Sequence, residues 1–395
     1  MTERARTLRA WVCTALLAAL CAAVSVSAAT LTLGVLGRTD DERLDPRRVE
    51  LAYAGHAGGP ATDAVDVALE EVAFELEAAR LKVRIEVVDV RDAVEAKAAL
   101  LKLEKAGAQA ALVDWPAAWI AAAAPAVKLP VINVGEAADG LRQQACLPNL
   151  FHTLPSERMR TDAMAQALVA RRWNKVLLLQ GPTSDDAARA SVTQAALKRY
   201  GLKLVTTRPF KVSADPRERD LANPLLLTGD TDYDAVWVVD GSGEFARALN
   251  YRTALPRPVV GDGGFSALAW APHFERFGAP QLARRFAKVA KRPMTAPDWA
   301  SWAATKAVLQ AALLNAAVPT AATVAKALAS PDFNVDGFKG SRTSFRAWDR
   351  QLRQPLLLTD GVGVIGIAPD EGVMHPKNAL DTLGADEPEK LCKAK

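Results

Sequence analysis

Apolar positions follow two alternating rhythms along the chain. Runs rich in branched and aliphatic residues, Leu31–Leu36, Val83–Val90, Ala110–Val113 and Val131–Val134, read as short strands. Between them apolar residues recur every three to four positions. Val65, Leu69, Val72 and Leu76 mark one face of a helix over Thr62–Arg80, and Glu95–Ala106 is a second, closed by Gly107, which is free to take the left-handed conformation that ends helices. The polar stretch Arg38–Arg48 reads as a surface loop. The rhythm then repeats. Ser156 is placed to N-cap a helix over Arg158–Val169, followed by a strand at Val176–Leu179, a helix over Asp185–Tyr200 ended by Gly201, and a strand at Leu202–Thr206. Strands at Ala235–Val239 and Val259–Val260 flank a helix around Glu244–Tyr251. Strand–helix–strand units in two blocks predict an α/β fold of two doubly wound, Rossmann-like lobes with parallel sheets covered by helices. An Ala-rich helix, Trp299–Asn315, follows, and the last third returns to strands at Ser344–Trp348 and Leu356–Leu358.

The first segment reads as an export signal. Arg4, Arg6 and Arg9 precede an apolar stretch from Ala10 to Val24, and Val26-Ser27-Ala28 supplies small residues for cleavage after Ala28, with Ala29 the near alternative. That stretch is shorter than the roughly 20 residues that span a bilayer, so a periplasmic protein is expected rather than an anchored one. Leu20 before Cys21 departs from the small residue that lipoprotein signals place there. Removing the leader takes Cys13 and Cys21 with it. Cys146 and Cys392 remain, and in an oxidising compartment they most simply form one disulfide; two free thiols are the alternative.

Composition narrows the function. The 395 residues are 50% hydrophobic and 24% charged with a net charge of +4, of which the leader carries two charges. The near-neutral remainder excludes a nucleic-acid binder, which needs a concentrated basic face. The length suggests about two domains. Enzyme signatures are weak. The run Gly361–Gly366 matches a dinucleotide-binding pattern, but Ile367-Ala368-Pro369-Asp370 follows where a helix should begin. Gly241-Ser242-Gly243 lacks the full nucleophile elbow. His56, His152, His273 and His375 are too widely spaced for a local zinc motif. No catalytic residue and no cofactor are therefore expected.

Ligands of open parallel sheets sit beyond the carboxyl ends of the strands. Residues there are Asp114 and Trp115 with Trp119 a turn later, Glu136, Asp185 and Asp186, Asp240 and Asp262. Each has a structural alternative: Asp185 or Asp186 as helix caps, Asp240 as a turn residue, Trp119 and Trp270 as packing. Carboxylates gathered at one cleft repel unless a cation, a basic ligand or a buried proton offsets them, which points toward a cationic or metal-containing ligand.

Residues 31–370 resemble the leucine/isoleucine/valine-type periplasmic substrate-binding proteins of ABC importers, through Leu31-Thr-Leu-Gly-Val-Leu, Asp89-Val-Arg-Asp-Ala, Ala110-Ala-Leu-Val-Asp and Phe151-His-Thr-Leu-Pro-Ser. Tyr251-Arg-Thr with Pro256-Arg-Pro-Val, Arg346-Ala-Trp-Asp-Arg-Gln-Leu-Arg-Gln-Pro355 and the tail from Leu380 to Cys392 look like the subfamily associated with pyrroloquinoline-quinone-dependent alcohol dehydrogenases. The resemblance implies a type I fold with crossings near residues 153–156, 262–268 and 336–343. One lobe would comprise 29–153 plus 266–335, the other 156–262 plus 340–375, with a tail over 376–395. It also implies a monomer that closes on a small ligand and delivers it to an inner-membrane permease. Family members grip an amino acid with hydroxyl residues after the third and fourth strands. Here Asp114-Trp-Pro-Ala-Ala-Trp-Ile and Asn133-Val-Gly-Glu-Ala-Ala-Asp carry none, which puts leucine-like ligands in doubt.

Overall fold

Leu31, Leu33, Val35 and Leu36 are all buried because strand β1 (Ala29–Arg38) runs inside a sheet with helices on both of its faces. The structure is a computed structural model that describes residues 29–50 and 55–393; the expected leader, with Cys13 and Cys21, lies outside the described residues. Helix α1 (Ala61–Glu71) leads to β2 (Leu81–Val90), α2 (Ala93–Lys105), β3 (Ala110–Val113), α3 (Ala117–Ala123), β4 (Val131–Asn133) and β5 (Leu150–His152). The five strands form one parallel sheet in the order β2-β1-β3-β4-β5. Asp92 starts α2 by accepting from the Val94 and Glu95 amides, and Gly107, at φ +79°, follows its end.

The chain then enters α4 (Glu157–Ala170), capped by Ser156 as the sequence predicts, and builds a second parallel sheet. Its strands are β6 (Lys175–Gln180), β7 (Lys203–Pro209), β8 (Ala235–Val239) and β9 (Val259–Gly261), in the order β7-β6-β8-β9, with α5 (Ser184–Arg199) joining β6 to β7. After β10 (Ser266–Leu268) come α6 (Ala279–Ala290), α7 (Ala296–Leu313) and α8 (Ala321–Leu328), which return to the first sheet. Helix α7 is buried around its whole circumference. Trp299, Trp302, Ala303 and Ala307 pack in the core shared with α1 and β1, and Lys306 on the same helix pairs with Glu71 at 2.6 Å. Two-residue strands β11 (Val335–Asp336) and β12 (Arg342–Thr343) form a small hairpin. Strands β13 (Leu356–Thr359) and β14 (Val364–Ala368) complete an antiparallel sheet with β10. Among the described residues no helix is long and apolar enough to cross a membrane.

Some sequence expectations change, and the doubt over the glycine run holds. The helix over Thr62–Arg80 is two helices, broken at Val72, whose backbone leaves the helical region. Ser344–Trp348 is no strand: the chain turns back at 347–349, with the Arg346 amide bonded to the Gln351 carbonyl and Phe345 bridged to Leu352. The reason is that Arg346 turns inward, donating to Asp381 and to the Leu380 and Leu383 carbonyls. The glycine run Gly361–Gly366 is the turn and second strand of the β13–β14 hairpin.

The C-terminal tail docks on α4 and on the turn around residues 346–349. Arg158 holds Glu389 bidentately at 2.7 and 2.9 Å, Asp162 accepts from the Gly384 amide at 3.0 Å, and the Trp348 indole donates to the Ala385 carbonyl. A disulfide between Cys392 and Cys146 then ties the tail to the segment leading into β5; the Cα atoms are 5.7 Å apart.

Candidate functional site

A cavity of about 200 Å³ opens at the carboxyl end of the first parallel sheet, with α4 of the second lobe across from it. Its wall comes from the first lobe through Arg43, Gly55, His56, Ala57, Gly135 and Ala137, and from α4 of the second lobe through Arg160. Leu154, Pro155, Leu268 and Ala269, where the chain passes between the sheets, close the floor.

Asp114, the residue after β3, is anchored by two arginines. Arg43 Nη2 donates to its Oδ2 at 2.8 Å, and Arg38 lies 3.4 Å from Oδ1. Arg43 also grips Asp41 through Nε at 3.0 Å. Burial pulls the Arg43 guanidinium down, but Asp41 and Asp114 outweigh it and hold the group above its ordinary value. Beside it, burial and then the charges of Arg43 and Arg48 push the His56 imidazole below its usual range, so it is neutral at pH 7. Gly135 leaves room for this carboxylate, because a Cβ there would collide with Asp114 Oδ1.

Behind Arg160, across the cavity, this chemistry repeats. Asp262, after β9, accepts from Arg189 at 2.6 Å and from the Asp240 amide at 2.8 Å, with Arg160 at 3.7 Å. Glu157 takes Arg160 at 3.1 Å and Arg189 at 3.4 Å. Burial alone would raise Glu157; the two arginines reverse that and hold it below its ordinary value.

The other sequence candidates separate by role. Glu136 accepts from the Ala117 and Ala138 amides and so caps α3. Asp240 accepts from the amides of Ser242, Phe245 and Ala246, the turn chemistry weighed as its alternative. Asp186 completes a capping box with Thr183 at the start of α5. Asp185 stands beside it, its carboxyl raised by burial and by Asp186, Glu136 and Glu157 against the pull of Arg189. Trp115 is fully buried, its indole donating to the Gly37 carbonyl at 2.8 Å; Trp119 packs half-buried on the same core; Trp270 lies in the core of α7. None of these lines the cavity.

Arg38, Arg43, His56 and Arg160 were not legible as site residues. Arg38 and Arg43 fall in a stretch that reads as surface loop, and Arg160 lies inside a helix rather than just after a strand. The signal available was the small-residue loop Gly55-His56-Ala57-Gly58-Gly59 before α1, which lets backbone approach a ligand. The repulsion that suggested a cation is offset: Asp114, Asp262 and Glu157 are paired with arginines, and Glu136 and Asp240 with amides. Among the described residues no group of three His, Cys, Asp or Glu side chains is placed to hold a metal ion.

A family model described as a periplasmic binding protein matches residues 52–256. No curated protein matches the chain. Solved structures share its fold at low identity. A branched-chain amino acid ABC transporter periplasmic ligand-binding protein from Burkholderia xenovorans LB400 is 16% identical, with 92% of this chain and 99% of that chain covered, at a TM-score of 0.68. A solute-binding protein of an ABC transporter from R. palustris, in complex with benzoate, is 14% identical, with 87% and 98% covered, at 0.61. A branched-chain amino acid transporter substrate-binding protein from Streptococcus pneumoniae, in complex with isoleucine, is 14% identical, with 86% and 98% covered, at 0.62.

Proposed function

The chain belongs to the periplasmic binding protein family, and from that premise we propose that it is the exported receptor of an ABC importer, closing its two lobes on a small solute and presenting it to an inner-membrane permease. One observation carries this reading: a cavity at the carboxyl end of the first parallel sheet is lined by that sheet's loops, by Arg160 of α4, which leads into the second parallel sheet, and by residues 154–155 and 268–269, where the chain passes between the two. Such a gap shrinks when the connecting segments flex, so solute affinity and lobe closure are one equilibrium. Asp114 and Asp262 act through the arginines they hold, fixing the guanidinium groups at the cavity rim.

The system it serves is proposed to be quinone-dependent alcohol oxidation. Support comes from the blocks Tyr251-Arg-Thr, Arg346–Pro355 and the tail ending in Cys392. In the structure the last two pack together, because Arg346, Trp348 and Arg353 are among the residues that dock the tail. A second reading, an accessory protein that binds a dehydrogenase or assists cofactor loading without transport, rests on this same docked tail, a surface outside the cleft.

Small-angle scattering with a periplasmic metabolite extract tests the receptor reading. Contraction of the protein on adding extract, together with capture of the permease from solubilised membranes, is the expected result. An unchanged scattering curve with capture of the dehydrogenase instead would favour the accessory role.

A further inference from the structure

Resting on the reading of the cleft as a solute site, we propose that the solute is a small carboxylic acid lacking an amino group, its carboxylate clasped between Arg43 of one lobe and Arg160 of the other. The charges at the cavity are arranged with one polarity. Arg43, His56 and Arg160 reach its surface, whereas the carboxylates that balance the arginines are not part of the wall. Asp41 and Asp114 occupy Nε and Nη2 of Arg43; Glu157 and Asp262 flank the terminal nitrogens of Arg160, whose Nε donates to the Ala267 carbonyl at 3.4 Å. Both arginine side chains are about one quarter exposed, at 24% and 23%. They are therefore held in place from behind, and both still reach the cavity surface. Guanidinium–carboxylate pairs are the strong, charge-assisted hydrogen bonds that such a geometry favours.

The same wall discriminates against an amino acid. Among the described residues lining it there is no carboxylate and no hydroxyl. An α-ammonium entering the cavity would lose its hydration with no carboxylate in the wall to receive it and would lie beside two cations, an unfavourable place for a buried charge. A keto, hydroxy or unsubstituted α-carbon meets no such penalty. The remaining surface is apolar, from Ala57, Ala137, Leu154 and Leu268. The volume is below the roughly 300 Å³ at the small end of drug-sized sites, which limits the body of the acid to a short branched chain or a single ring.

Calorimetric titration of the mature protein with matched pairs tests this: 3-methyl-2-oxobutanoate against L-valine, 3-phenylpropanoate against L-phenylalanine, and calcium chloride as the cation. The expected result is that at least one acid binds at least tenfold tighter than its amino counterpart. Arg160→Gln weakens that binding at least tenfold with the far-ultraviolet circular dichroism unchanged. Since Arg160→Gln also exposes Glu157 and Asp262, Ala137→Asp serves as a second variant that leaves both arginines in place; it too should weaken the acid at least tenfold. Tighter binding of either amino acid or of calcium would overturn the ligand class while leaving a solute receptor intact. No heat from any of the five would overturn both.

Discussion

Lys339 and Gln354 are joined by a 2.8 Å hydrogen bond at the point where the chain passes between the two sheets. Lys339 also donates to the Ala269 and Pro355 carbonyls and lies 3.5 Å from the centroid of the Trp299 ring, while Gln354 donates to the Thr153 carbonyl at 2.6 Å. The segments after β5, after β10 and before β13 are thus held by one buried ammonium and one amide. Burial pushes the Lys339 ammonium well below its ordinary value, yet three oxygen acceptors match its three protons.

Replacing Lys339 with alanine leaves those acceptors unsatisfied inside the protein. Each buried orphan costs about 1–3 kcal/mol, so Lys339→Ala should lower stability by at least about 3 kcal/mol and Tm by several degrees. Thermal unfolding followed by circular dichroism checks this, and a change within about 0.5 kcal/mol would show that the knot carries no stability.

The disulfide between Cys146 and Cys392 closes a loop of 246 residues. In the chain-entropy picture a cross-link over that span stabilises by up to about 5 kcal/mol. The Arg158–Glu389 pair and the buried Arg346–Asp381 pair keep the tail docked without it. Cys392→Ser is therefore expected to fold, with a Tm several degrees lower. Dithiothreitol should bring the wild type down to the variant and leave the variant unmoved.

Burial raises the Asp162 carboxyl to about 6, despite Arg199, Arg158 and the Gly384 amide. Its unfolded value is near 3.8, so folding favours the protonated form. The associated stability is present below about pH 4 and is lost as pH rises through 6, by on the order of 3 kcal/mol for two pKa units. Asp162→Asn, which stays neutral, lacks this loss. Melting curves between pH 4 and 7 should show the wild type weakening relative to the variant as pH rises; the opposite slope would mean that the arginine pairs dominate.

Gly135 gives a probe of the cleft that removes no charge. Its Cβ would collide with Asp114 Oδ1, displacing the carboxylate that seats Arg43. Gly135→Ala should weaken solute binding about tenfold while lowering Tm by only a few degrees, a split that titration and melting measure separately.

The repeated strand–helix rhythm was legible because buried parallel strands are continuous apolar runs. Ala110–Val113 and Ala235–Val239 coincide with β3 and β8. Strands β5 (Leu-Phe-His) and β10 (Ser-Ala-Leu) escaped because they lack the β-branched residues that mark the equally short β4 and β9, and α3 and α6 lie in stretches that the sequence reading left without an element. At the site the strand-end rule located Asp114 and Asp262 but assigned them to the ligand. What it could not see is that arginines distant in sequence, Arg43 at a separation of 71 and Arg189 at 73, would turn those carboxylates into supports. Charge in a cleft is legible only as pairs, and pairing is a tertiary fact.

Native mass spectrometry of the protein released from the periplasm under non-denaturing conditions tests the account most directly. The account predicts a one-to-one complex whose small component, freed by denaturation, ionises as an organic acid without nitrogen and is missing from Arg160→Gln. A protein that carries an amino acid or a metal ion, or one whose mass is the polypeptide alone in cells growing on alcohol, would contradict it.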